Sequence, residues 1–160
     1  PGIKFMERDK TWIAPSGATL WMSYLDRDDD VMRYQGQAFN WIGFDELTQW
    51  DSSYAWTYMR SRLRTTKASG LPLYMRATSN PGGPGHQWVK RTFIDPAEPG
   101  HSYWATDPEG EVICWPKGHT REGEPLFKRK FIPATLFDNP YLSDDGMYEA
   151  NLLSLPEHQR

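Results

Sequence analysis

The stretch that most constrains this chain is Trp41 to Glu46, WIGFDE, in which a mostly apolar run meets two adjacent carboxylates. A buried parallel strand is covered on both faces, so it reads as an apolar run rather than an alternation. Its acids then fall at the carboxyl end, where open α/β sheets bind ligands. A second strand candidate follows at Leu73 to Asn80, LYMRATSN, and it ends in small polar residues. Pro81 to Gly85, PGGPG, breaks any regular structure. Helical spacing resumes at His86 to Phe93, HQWVKRTF, and a helical segment, Asp51 to Arg64, separates the two strands. Strand–helix–strand predicts parallel neighbours joined by a crossover. Glu46 should then lie near Ser79 or Asn80. Each piece also has a plainer reading. Acids are favoured at any helix N-terminus, and TSNPGG suits a surface turn.

Residue types at the two strand ends suggest a chemistry. Asp45 is placed to hold Mg²⁺, directly or through water, as the acid after such a strand does in phosphate-transferring sheets. Glu46 is placed to orient or deprotonate an attacking water. A hydroxyl or amide from Thr78, Ser79 or Asn80 can sense a terminal phosphate or that water.

Taken together, RYQGQAFNWIGFDELTQW, SRLR and RATSNPGGPGHQWVKRTFI resemble the large terminase subunit of tailed bacteriophages. These motors use ATP to drive double-stranded DNA into a preformed capsid. The resemblance runs from Gly17 to about Pro156. It implies an α/β fold, part of the parallel sheet of a P-loop (ASCE-type) ATPase with flanking helices, plus a small irregular or β subdomain. WIGFDE corresponds to the Walker B strand and RATSNP to the motif coupling hydrolysis to movement. ATP and Mg²⁺ are the implied cofactors. Double-stranded DNA, the portal protein, the small terminase subunit and further copies in a ring are the implied partners, at the procapsid portal in the host cytoplasm. In some members an Arg immediately before the Gly of RYQG acts as an arginine finger. Here Gln35 holds that place and Arg33 stands two residues earlier. Arg33 is thus the finger candidate, with a surface ion pair as its other reading.

The sequence contains no GxxxxGK[ST] phosphate loop. The Gly-rich stretch Gly82 to Gly85 lacks the Lys and follows the acidic strand. In the family that loop lies upstream and the carboxylate cluster of the nuclease lies downstream. The expectation is an internal fragment, with the second half of an ATPase core at 1–95 and a linker or lid subdomain at 96–160. Such a fragment alone should hydrolyse ATP poorly or not at all.

Composition narrows the alternatives. Eight Trp, eight Tyr and seven Phe supply large apolar bodies for one domain's core. No apolar run approaches a membrane span, and no signal peptide is visible. The single Cys114 cannot close an internal disulfide, which suits a reducing compartment. With a net charge of −3 the chain is no general DNA-binding surface. His86, His101, Cys114 and His119 show no paired zinc spacing.

The remaining segments read as follows. Lys10 to Ile13 and Thr19 to Tyr24 are short strands joined by the turn Ala14 to Gly17, with Leu20 and Met22 on the covered side. Asp28, Asp29 and Asp30 fit a helix start better than a metal site. After the acidic strand, the residues Trp50, Tyr54, Trp56, Met59 and Leu63 are packing groups, while Arg60, Arg62 and Arg64 form a basic stripe beside Lys67. That stripe suits phosphate contact, or plain solvation. A hairpin turning at Asp107 to Gly110, a strand in LFKRKFIPATL and a helix from Asp144 to Leu155 complete the chain. Two functional classes follow: an ATPase half of a packaging motor, and a non-catalytic module docking to protein or DNA. A nuclease is a distant third.

Overall fold

The computed structural model describes residues 2–65, 69–96, 98–106, 113–115, 127–135, 138–140 and 147–154. It opens with a three-stranded antiparallel meander, β1 (Lys4–Met6), β2 (Thr11–Ile13) and β3 (Thr19–Trp21). The β2–β3 turn falls at the expected residues, closed by Ala14 N–H to Ala18 O at 2.9 Å and Gly17 N–H to Ala14 O at 2.9 Å. Nothing in the sequence marks β1, whose three residues are all exposed. The covering of β3 also differs from expectation. Leu20, Trp21 and Met22 are all exposed, although one edge of Trp21 meets the rings of Phe39 at 5.8 Å and Tyr34 at 6.1 Å.

The acidic run opens a 3₁₀-helix, Asp28–Tyr34. Its cap works backwards. The Asp30 carboxylate accepts the Asp26 N–H at 2.8 Å and the Arg27 N–H at 3.0 Å. Those bonds, the Asp26 one first, hold its pKa below the ordinary aspartate value. Among the described residues, no group of three or more His, Cys, Asp or Glu is placed to hold a metal ion.

β4 (Trp41–Phe44) and β5 (Tyr74–Ala77) pair in parallel, with Trp41 opposite Tyr74 and Phe44 opposite Ala77. Between them lies α1 (Tyr54–Arg60), shorter than the helical pattern suggests. Ser52 sets its start, accepting the Tyr54 N–H at 3.2 Å while donating to Asp28 Oδ2 at 2.9 Å. Its end is set by the chain bending back into a bridge, where Phe39 N–H reaches Arg62 O at 3.0 Å and Arg64 N–H reaches Phe39 O at 3.1 Å.

The core has two lobes that meet on α1. Ala55 and Met59 join Val31, Tyr34 and Ile42, whereas Trp56 joins Leu47, Trp88 and Val89. Phe44, Trp50 and Met75 pack against both lobes. Tyr54, expected inside, is exposed and lies against Tyr58. The sheet corrects a larger expectation, since among the described residues only one of its faces is covered. Ile42, Phe44 and Met75 face the core, while Trp41 and Tyr74 on the other face are 41% and 42% exposed.

After β5, α2 (His86–Val89) continues into a π-helical turn, Lys90–Ile94, closed by Asp95 N–H to Lys90 O at 3.0 Å. Beyond it β6 (Ser102–Thr106) sits between β7 (Ile113–Trp115) and β8 (Phe127–Lys130), all antiparallel. A final helix spans Met147–Ser154. The expected hairpin turn at 107–110, Lys67, His119 and the expected helix ends at 144–146 and 155 lie outside the described residues.

Candidate active site

Parallel pairing in this register carries Asp45, Glu46, Thr78, Ser79 and Asn80 to the same end of the sheet. There they bond to one another. Thr78 N–H donates to Phe44 O at 3.0 Å, and Leu47 N–H donates to Thr78 O at 2.9 Å, so the ladder runs past both strands. The Thr78 hydroxyl donates to Asp45 Oδ1 and lies 3.4 Å from the Glu46 N–H. The Asn80 amide donates to Glu46 Oε1 at 3.1 Å.

Glu46 has left-handed backbone dihedrals, φ 51° and ψ 53°. Non-glycine residues held there cost on the order of 1–3 kcal/mol, and they concentrate at functional sites. Here the conformation sharply ends β4 and starts the 3₁₀-helix Leu47–Gln49. Asp45 remains exposed beside the Thr78 hydroxyl. Mg²⁺ is commonly held by one or two carboxylates, its own waters and phosphate oxygens. A single exposed carboxylate at a strand end fits that donor set.

No motif marks Thr48 or Gly85, yet both hold the site together. Thr48 is buried, and its carbonyl accepts the Gly85 N–H at 2.8 Å. Its N–H and hydroxyl engage Ser79 and Asn80. A Cβ on Gly85 would lie 1.9 Å from Trp50 O and 2.7 Å from Trp88 Nε1. Only a glycine lets this loop close on the acidic turn. Trp88 Nε1 seals the approach by donating to Trp50 O at 2.7 Å.

Arg33 is committed elsewhere. Its guanidinium donates to Tyr24 O at 2.8 Å and Asp30 O at 3.3 Å, and it pairs with the Asp30 carboxylate at 3.6 Å. In the basic stripe, Arg62 stacks over Tyr58 at 4.9 Å and Arg64 donates to Gln37 O at 2.8 Å. A wide cleft of about 1800 Å³ is lined by Trp21, Tyr24, Trp41 and Gly43 as well as by Asp45 and Glu46.

Compared with protein-family models, curated proteins and solved structures, the chain matches none.

Proposed function

We propose that this chain is the acid-bearing part of an ATP-hydrolysing motor of the large terminase type, which packages double-stranded DNA. The observation that supports this reading best is the bonded set at one sheet end, Asp45 with Thr78 and Glu46 with Asn80. Two separate sequence segments supply it, and a surface turn alone has no need of the second carboxylate.

In this reading Glu46 accepts the proton of the attacking water through Oε2, while the Asn80 amide on Oε1 fixes the plane of the carboxylate. Asp45 would hold Mg²⁺, with the Thr78 hydroxyl orienting its other oxygen. The metal, when bound, neutralises charge developing on the phosphate oxygens. Ser79 and Asn80 would report the state of the nucleotide to α2. For Arg33 to act as a finger, it must first leave Tyr24 and Asp30. The reading requires a phosphate-cradling loop from another part of the intact protein. The portal, the small subunit, a ring of copies, a nuclease domain and a location at the procapsid in the host cytoplasm belong to the same proposal.

The test is ATP turnover by the intact protein. Glu46→Gln should lower kcat at least ~100-fold, because it removes the base but keeps the shape, and nucleotide binding should persist. Asp45→Asn should instead weaken Mg²⁺-dependent binding. Full turnover in Glu46→Gln would eliminate the assignment in favour of a docking module.

A further inference from the structure

We infer that Thr48 is the positioning residue for the Glu46–Asn80 pair, an inference that rests on the reading of Glu46 as the base. Its bonds form a directed relay. Thr48 N–H donates to Ser79 Oγ at 3.0 Å. Ser79 Oγ donates to Thr48 Oγ1 at 2.9 Å. Thr48 Oγ1 donates to the Asn80 carbonyl at 3.0 Å. Ser79 Oγ also lies 3.5 Å from the Asn80 carbonyl, and the shorter contact to Thr48 Oγ1 sets the direction of the relay. The relay ends on the backbone of the residue whose side chain holds Glu46.

Several features make this more than a turn. Thr48 is 3% exposed, so its hydroxyl has little water to fall back on and a lost partner is costly. It follows Glu46 by two residues on the same 3₁₀ turn, so it fixes both sides of the Glu46–Asn80 bond at once. Its carbonyl takes the Gly85 N–H at 2.8 Å, which ties the start of α2 to the same residue. Among the described residues Asn80 bonds to the acidic turn through Glu46 and Thr48, with a longer contact from Ser79 Oγ to its carbonyl at 3.5 Å. Freed from Thr48, its amide can swing away from Glu46 Oε1 without breaking a strand bond. Misplacing a catalytic group by about 1 Å costs up to ~100-fold in rate, so a hydroxyl that touches no substrate still governs turnover.

The experiment uses the intact protein with Thr48→Val, Thr48→Ser and Ser79→Ala. Val keeps the volume and removes the hydroxyl, whereas Ser keeps the hydroxyl. Thr48→Val and Ser79→Ala should each lower kcat about tenfold and leave KM for ATP within about twofold. Thr48→Ser should retain most of the turnover. In parallel, Asn-selective ¹⁵N labelling reads the Asn80 side-chain amide. Its bonded resonance should survive in Thr48→Ser and collapse to a solvent-averaged one in Thr48→Val. Persistence of that resonance in Thr48→Val overturns the inference, whatever the activity. Equal losses of kcat in Thr48→Val and Thr48→Ser overturn it too, by showing that the methyl group and packing matter instead. Should the unaltered protein turn over no ATP, the reading of Glu46 fails, and the Asn80 resonance still decides the positioning. Ser79→Ala keeps the test alive if Thr48→Val does not fold.

Discussion

Gly82 and Gly85 are glycines for different reasons, and the difference is measurable. Gly82 has φ +90° with nothing near its missing Cβ. An Ala there meets only the left-handed penalty of about 1–2 kcal/mol. Gly85 has an ordinary φ of −86°, but its Cβ would strike a backbone carbonyl. Overpacking of that kind typically costs about 1–3 kcal/mol, and the 1.9 Å approach puts Gly85 at the upper end or above it. Gly85→Ala should therefore destabilise more than Gly82→Ala in urea unfolding, the reverse of a ranking by φ. It should also expose the Trp88 indole that donates to Trp50 O. Equal midpoints for the two variants would mean that the loop does not close on Trp50 as described.

Among the elements, the 3₁₀-helix Asp28–Tyr34 depends on one carboxylate acting as a cap. Because Asp30 titrates lower when folded than when unfolded, its contribution is complete above its ordinary range, about pH 4, and is lost as pH falls through the folded value. Asp30→Asn should lower the melting temperature at neutral pH, and the gap to the unaltered protein should narrow on acidification below about pH 4. Asp138, lowered mainly by the Thr135 N–H, behaves alike and is present in both proteins, so it cancels. Parallel melting curves across that range would contradict the cap. The parallel pair β4–β5 was legible because an apolar run ending in acids and a second run ending in small polar residues flank a helical pattern. The Glu46–Asn80 contact follows from that register. Thr48 was not legible, since a Thr two residues beyond an acid has no signature until the loop folds over it. β1 was hidden because its exposed residues leave no alternation to read. For Arg33 a sequence shows only that an arginine is near a loop, whereas the fold ties its guanidinium to Tyr24 O and Asp30.

For the molecule as a whole, the dominant fact is that among the described residues the β4–β5 sheet is covered on one face only. Among the described residues no helix is long and apolar enough to cross a membrane. Trp41 and Tyr74 stand beside each other in register on that side. Paired strands that show aromatic surface and open edges invite association with other chains. Trp41→Lys should reduce concentration-dependent self-association of the isolated 160-residue chain, read by sedimentation velocity. It should change thermal stability little, because the side chain is already 41% exposed. Unchanged association would show that the face is not adhesive. The hazard is one of timing. β5 follows α1 in the chain, so the pair closes only once Ala77 has been made. From then on, the Trp41 face is exposed to every neighbouring nascent chain. Folding stability does not cover this face, so a cell making the protein quickly should lose more of it to aggregation than a cell making it slowly.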